Sequence, residues 1–124
     1  MTPFGARVRE LRAVKGIKLK DMAQDLQVSS AYLSALEHGR RGRPGPGFVM
    51  QIANYFGLIW DEVDDLKRLA QLSHPRIAVD TGGLNPKATL LANLIAGHIH
   101  ELDDGTIDRI LIEMGFDEEA EQNA

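Results

Sequence analysis

Residues 18–39 carry two short helical patterns separated by a tight break, and this arrangement constrains the fold more than any other feature of the chain. The apolar positions at helical spacing are Met22, Ala23 and Leu26 in the first pattern and Val28, Leu33 and Leu36 in the second. Ser29 stands where its hydroxyl can cap the second helix, and Gly39 stands where that helix should end. Helices joined by so short a turn cross steeply, so the second is expected to project from the body in a geometry that fits a DNA major groove.

The same run resembles the helix-turn-helix of the XRE/Cro family, the lambda-repressor-like regulators, and the resemblance covers roughly residues 3–72. The matching elements are Ala23, the pair Val28-Ser29 and the ending Leu36-Glu37-His38-Gly39. Gln27 occupies the turn position that is usually Gly, which predicts a left-handed backbone at a cost of about 1 kcal/mol. Lys18 replaces the usual Ser or Thr cap of the first motif helix and cannot accept an N–H hydrogen bond.

The resemblance and the periodicity together predict an all-α fold, in which a five-helix lambda-repressor-like DNA-binding domain precedes a C-terminal helical hairpin used for dimerisation. Thr2 and Gly16 are expected to bound a first helix over residues 3–15, and two further helices are expected near residues 48–56 and 60–72. The residues expected to face the core outside the motif are Phe4, Val8, Leu11, Val49, Ile52, Ala53, Phe56, Val63, Leu66, Leu69 and Ala70.

The C-terminal half begins with a break in the helical pattern. Asn85 followed by Pro86 is a strong helix start, and helices are expected from there to about Leu102 and from Asp103 or Asp104 onward. The predicted segments are the DNA-binding domain at 1–73, a linker with a short extended piece at 74–85, a helical dimerisation segment at 86–116 and an acidic, disordered tail at 117–124.

The predicted hairpin is too small to bury its own apolar stripes, so it needs a surface on which to pack. The same segment of a second chain is the predicted partner, because two-fold symmetry also doubles the DNA contact of a small module. The alternative is that the hairpin folds back on the fifth helix, where Ile59 and Trp60 would otherwise be bare surface. The predicted dimer seam comprises Leu91, Leu94, Ile95, Ile99, Ile107, Ile110, Leu111 and Met114.

Charge is distributed unevenly along the chain, whose net charge is −4. Residues 1–43 hold nine Lys or Arg and four Asp or Glu, whereas residues 44–124 hold five and fourteen. A basic half that contains the motif favours an end that faces DNA and another end that faces something else. An uneven solvated surface is the alternative interpretation.

The helix at residues 30–38 is the predicted recognition helix, and a loop rich in arginine follows it. By position in the family, Ser30, Ala31 and Ala35 lie where contacts to base edges usually arise, while Tyr32 has packing on the first motif helix as an alternative. The full set predicted to face DNA is Lys18, Lys20, Ser29, Ser30, Ala31, Tyr32, Ser34, Ala35, His38, Arg40, Arg41 and Arg43. Because this set is poor in side chains that read bases in a bidentate way, DNA shape and spacing are expected to carry much of the specificity.

The resemblance also implies a structural pair beneath this surface. Arg12 lies late on the first helix and Glu37 lies at the end of the recognition helix. A bidentate guanidinium–carboxylate bridge between them would hold the recognition helix against the body of the domain.

The sequence offers little chemistry beyond binding. It contains no Cys, so neither a disulfide framework nor a thiolate metal site is expected. His98 and His100 lie near several acids, but residues two apart on a helix face different ways and do not readily share a metal. We therefore predict that the protein is not an enzyme and uses no metal or cofactor. No apolar run is long enough to span a bilayer and no secretory pattern is seen, so a cytoplasmic location is expected.

The predicted function is that of a sequence-specific transcriptional regulator, a repressor, which binds double-stranded DNA at a two-fold-related operator as a homodimer. Two alternatives stay open. One is an antitoxin-type regulator whose C-terminal half binds a partner protein, and the other is an interaction adaptor that no longer binds DNA. A stable complex with another protein would favour the first, and a lack of salt-sensitive DNA binding would favour the second.

Overall fold

A computed structural model of the protein describes residues 1–40 and 42–116, and every regular element in these ranges is helical. The elements are α1 (Pro3–Lys15), α2 (Leu19–Asp25), α3 (Ser30–Glu37), α4 (Pro46–Tyr55), α5 (Asp61–Gln71), α6 (Pro86–His98), a 3₁₀ helix (Ile99–Glu101) and α7 (Asp104–Glu113). They group into two compact units, one of Met1–Ile77 and one that begins at Ala78. The prediction of an all-α fold is confirmed, and the predicted disordered tail at 117–124 lies outside the described residues.

Capping residues define most helix ends as the sequence predicts. The side chains of Thr2, Ser29, Asn85 and Asp103 each accept a hydrogen bond from a backbone N–H in the first turn of the helix that follows. Gly16 ends α1 in the left-handed conformation, with φ 67°. These local bonds satisfy N–H groups that a helix leaves unpaired at its start, which explains why the residue pattern alone locates these ends.

The two departures from the family pattern behave as predicted. Gln27 adopts the left-handed conformation at φ 59°, and Lys18 makes no side-chain capping bond to α2. The N–H of Val28 donates to the carbonyl of Ala23 at 2.9 Å and closes the turn between α2 and α3. The strained backbone at Gln27 is thus held by hydrogen bonding of its neighbours.

The predicted start of the fourth helix, at Phe48, is wrong. α4 begins at Pro46, with Gly45 as its N-cap residue. Proline suits the first helical position because it lacks an N–H that would be unpaired there and its φ is already near the helical value. The loop that follows the recognition helix is therefore shorter than its Gly- and Pro-rich composition suggests.

The predicted end of the sixth helix, near Leu102, is also wrong. α6 ends at His98, and the 3₁₀ helix, which has fewer residues per turn, follows before α7.

The fifth helix begins one residue later than predicted. Trp60 precedes α5 rather than lying in it, and its backbone takes φ 51° and ψ −119°. That conformation is uncommon for a residue with a bulky side chain.

The core of the first unit is built from α1 to α5. Its buried apolar residues are Phe4, Val8, Met22, Ala23, Leu33, Leu36, Val49, Ile52, Ala53, Phe56, Leu66 and Ala70. Leu11 and Val63 pack at its edge, and Leu69 is half-buried. Ala23 is 1% exposed, and its small side chain lets α2 and α3 approach closely. The predicted core is confirmed, with Leu11, Val63 and Leu69 at its margin.

The start of α1 is tied to the end of α5 through Ser73, which the helical pattern marks only as the end of a helix. Ser73 is buried, and its hydroxyl accepts a hydrogen bond from the N–H of Phe4 at 2.9 Å while donating to the carbonyl of Leu69. Without this hydroxyl the N–H of Phe4 would be a buried donor with no partner. The contact joins residues far apart in the sequence, so no local signal reveals it.

In the unit that begins at Ala78, many apolar side chains of α6 and α7 are exposed. No residue of α6, of the 3₁₀ helix or of α7 is buried. Among the residues of the predicted dimer seam, the exposed ones are Leu91, Leu94, Ile99, Ile110, Leu111 and Met114, and the half-buried ones are Ile95 and Ile107. α6 and α7 flank an apolar groove of about 500 Å³ lined in part by Leu91, Ile110 and Met114. The short extended piece predicted in the linker at 74–85 forms no strand.

Candidate nucleic-acid interface

The outward face of α3 is small and polar. Leu33 and Leu36 turn into the core, and the side chains that remain outward form two groups. The exposed group is Ser30, Ala31 and His38, and the half-buried group is Tyr32, Ser34 and Ala35. His38 Nδ1 lies 2.8 Å from the carbonyl oxygen of Ser34, so this nitrogen carries the proton and donates. In the neutral ring Nε2 is then an acceptor.

Tyr32 takes its aromatic partner from α4. Its ring centroid lies 5.9 Å from that of Phe48, with an interplanar angle of 70°, which is an edge-to-face contact. The two roles expected for Tyr32 are contact with DNA and packing on the first motif helix, and neither of them includes this contact with α4. The ring therefore braces α3 against the helix that follows the arginine loop.

The C-terminal end of α3 is held against α1 through two groups of Glu37. Arg12 Nη2 lies 3.0 Å and 3.1 Å from the two carboxylate oxygens, and the N–H of Thr2 donates to the Glu37 carbonyl at 3.2 Å. The side chains of Arg12 and Glu37 are only 13% and 3% exposed. The pair implied by the family resemblance is present, and its burial limits screening by salt.

The geometry of this pair differs from the predicted bidentate fork. One nitrogen, Nη2 of Arg12, contacts both oxygens of Glu37, and Nε is buried without a hydrogen-bond partner among the described residues. A buried donor that lacks an acceptor destabilises the folded state, which offsets part of the attraction between the charges. The pair fixes the position of α3 more than it adds net stability.

Glu37→Ala is expected to lower the free energy of unfolding by about 1–3 kcal/mol, because it leaves the Arg12 guanidinium largely buried without its partner. Urea unfolding followed by circular dichroism measures the change. Glu10→Ala is the matched control, since Glu10 pairs with Arg7 at 3.1 Å on the surface, with side chains 63% and 39% exposed. This control should change stability by well under about 1 kcal/mol. Equal stability of Glu37→Ala and wild type would contradict the clamp.

A second brace joins α2 to α4. The Tyr55 hydroxyl donates to Asp25 Oδ2 at 2.7 Å. This hydrogen bond, followed by burial and by the negative charges of Asp25 and Asp21, raises the pKa of Tyr55 to about 12. The exposed Lys18 and Lys20 stand at the start of α2. The brace keeps α2, and with it these two cations, in a constant position relative to α4.

The loop after α3 presents exposed cations. Arg40 and Arg43 are exposed, whereas Arg41 lies outside the described residues. The N–H of Arg40 donates to the carbonyl of Ala35 at 2.9 Å, which attaches the loop to the last turn of α3. Within the described ranges, neither Arg40 nor Arg43 forms an ion pair. Both guanidinium groups keep their donors for an outside acceptor such as phosphate.

This helical arrangement has known relatives. Residues 3–69, more than half of the chain, match the family described as a helix-turn-helix domain. The chain belongs to the helix-turn-helix domain family. One similar protein is the uncharacterized HTH-type transcriptional regulator RghRB of Bacillus subtilis (strain 168), 38% identical over 53 residues, which are 43% of this chain and 38% of the relative.

A second similar protein is the HTH-type transcriptional regulator DdrOP3 of Deinococcus deserti, 42% identical over 52 residues, which are 42% of this chain and 40% of the relative. This helix-turn-helix chain thus matches about two fifths of the length of both curated relatives. No solved structure gives a significant match.

Outside the helix-turn-helix domain, the 3₁₀ helix brings two histidines to one carboxylate. Oxygens of Glu101 lie 3.0 Å from His98 Nδ1 and 3.8 Å from His100 Nε2, and all three side chains are exposed. No group of three or more His, Asp or Glu side chains in residues 1–40 and 42–116 is arranged to hold a metal ion. Of the helices described, none has both the length and the apolar character to cross a bilayer.

Proposed function

We propose that this helix-turn-helix protein is a transcriptional repressor that acts in the cytoplasm and binds a two-fold-related operator as a homodimer, with α3 in the major groove. The observation that carries the proposal is that Glu37 clamps the end of α3 to α1 while Ser30, Arg40 and Arg43 are exposed to outside partners. The family, and the description of both relatives as HTH-type transcriptional regulators, support it.

The proposed contacts divide into two kinds. Ser30, Ala31 and Ala35 face base edges, where the alanine methyls suit the methyl group of thymine and the hydroxyl can bond to a base. The cations and the remaining polar residues hold the DNA backbone and set the register. This second group comprises Lys18, Lys20, Ser29, Tyr32, Ser34, His38, Arg40, Arg41 and Arg43.

The proposed dimer uses the seam of α6 and α7. α6 and α7 contain no buried residue, so covering their apolar side chains stabilises them, and a second copy covers these side chains with the same surface. A homodimer also matches the two-fold symmetry of an operator with two half-sites.

Replacing Arg40, Arg41 and Arg43 together with alanine is expected to weaken binding to all DNA sequences and to flatten its salt dependence. Each lost phosphate contact should reduce the slope of log affinity against log salt by about 0.9. Fluorescence anisotropy with a duplex selected from a random library, and with a scrambled duplex, measures both slopes.

Arg76→Ala combined with Lys87→Ala is the control for this variant, because both cations lie outside the proposed interface. The control should keep the wild-type slope. If the loop variant also keeps the wild-type slope, the loop does not contact DNA.

The second candidate function is an antitoxin-type regulator, which the exposed seam of the second unit favours because a partner protein can cover it as well as a second copy can. Sedimentation equilibrium of the purified full chain separates the two. A dimer supports the proposed repressor, and a monomer that forms a stable complex with a co-expressed protein supports the alternative. An adaptor that no longer binds DNA would show no salt-sensitive DNA binding.

A further inference from the structure

A concave pocket of about 430 Å³ lies in the first unit, between the loop that follows α3 and the helices α4 and α5. Its inner wall is apolar and firmly packed, since Val49 and Ala70 are 2% and 4% exposed and Pro44 is buried. The volume lies in the range of pockets that hold small organic ligands. Proline at positions 44 and 46 restricts the backbone on the loop side, so much of this wall is formed before any ligand arrives.

The mouth of this pocket carries cations. Arg43 on the loop side and Lys67 on α5 are exposed lining residues, and Gln71 adds an amide. Asp and Glu are absent from the lining as far as the structure describes the chain. The first turn of α5, by contrast, is acidic, with Asp61, Glu62 and Asp64. Neither Arg43 nor Lys67 forms an ion pair in the part of the chain that the structure describes.

We propose that this pocket binds a small amphipathic organic anion, whose carboxylate or phosphate head lies between Arg43 and Lys67 and whose apolar body covers Val49, Ala70 and Pro44. A guanidinium presents paired donors that fit either head group, and an ammonium adds a second positive charge. The amide of Gln71 can donate a further hydrogen bond to the head. An apolar ligand without charge would leave both cations unused, and an inorganic anion would leave the apolar wall uncovered.

Binding in this pocket has a consequence that rests on the proposed function. A ligand head and a DNA phosphate would place two negative charges beside the same Arg43 guanidinium, so the ligand should weaken DNA binding, and DNA should weaken ligand binding by the same factor. The test of the pocket itself is made without DNA. If no ligand binds, the pocket proposal is wrong whether or not the protein binds DNA, so the two proposals can be tested separately.

The test titrates the full chain with octanoate, octyl phosphate and octan-1-ol, each below its micelle or solubility limit, and follows backbone amide resonances by NMR. Octanoate or octyl phosphate is expected to shift resonances near Val49, Lys67 and Gln71 in a saturable way, and octan-1-ol should bind at least about tenfold more weakly. The tighter of the two acids identifies the head group. Saturable shifts confined to the groove between α6 and α7, equal binding of octan-1-ol, or no saturable shift would overturn the proposal.

Two surface variants make the assignment specific. Arg43→Gln and Lys67→Gln should each weaken binding of the tighter acid by about tenfold, because each removes a charge-assisted hydrogen bond. Both residues are exposed, so the fold should be kept. Lys87→Gln removes a lysine that is not part of the pocket and should leave the affinity unchanged. If all three variants bind equally well, the pocket does not recognise the anion through these cations.

Discussion

Gly5→Ala is expected to destabilise the first unit by about 3 kcal/mol or more, and to abolish DNA binding with it. A Cβ at Gly5 would overlap the carbonyl oxygen of Glu37. It would also lie 2.7 Å from both the Cα and the carbonyl carbon of Glu37. These are backbone atoms in the last turn of α3, so no side chain can rotate to relieve the clash. Either α1 moves away from α3 or the clamp made by Thr2 and Arg12 breaks.

Gly47→Ala is the matched control for this variant. Gly47 lies in α4, and a Cβ there meets no atom of the described residues within 4 Å. Alanine forms helix better than glycine, so the control should raise stability by up to about 1 kcal/mol. Urea unfolding followed by circular dichroism compares the two variants. A Gly5→Ala protein that unfolds at the wild-type midpoint would show that α1 does not approach α3 as the structure has it.

Truncation after Ile77 is expected to leave a folded monomer that binds DNA about 10²- to 10⁴-fold more weakly than the full chain. The fragment keeps the whole buried core and Pro75, which lies beside Gly39. It loses the seam that we propose joins two copies, so binding to the second half-site is no longer effectively intramolecular. Sedimentation equilibrium and anisotropy measure the two effects.

Leu94→Asp and Ile110→Asp are each expected to weaken or abolish the proposed dimer of the full chain. Leu94 is 49% exposed and Ile110 is 36% exposed, so a carboxylate is tolerated in the monomer but is costly at a covered interface. Asn93→Asp adds the same charge at an exposed neighbouring position of α6 and should keep the wild-type oligomeric state. A monomeric wild-type chain, or a truncated fragment that stays dimeric, would refute the dimer proposal.

Much of the candidate interface follows from local sequence. The core positions of α3 and the cap at Ser29 depend on helical spacing and on bonds between near neighbours, so the residue pattern is enough to predict them. The left-handed backbone of Gln27 follows from the family resemblance, in which this turn position is usually Gly. The predicted start of α4 is wrong although its signal is local, because Gly45 and Pro46 stand in a stretch whose composition is that of a loop. The DNA contacts of the predicted residues stay predictions.

The helices, most of their ends, the residues of the core and the family can be predicted from the sequence, because these depend on residues that are close together in the chain. Four contacts depend on how the helices pack. Gly5 lies against the Glu37 backbone, the Ser73 hydroxyl accepts from the N–H of Phe4, Arg12 contacts Glu37 through a single nitrogen, and Arg43 and Lys67 line the same pocket. Each of these contacts joins groups that lie far apart in sequence. Their distances depend on how the helices pack, and helical periodicity carries no information about those distances.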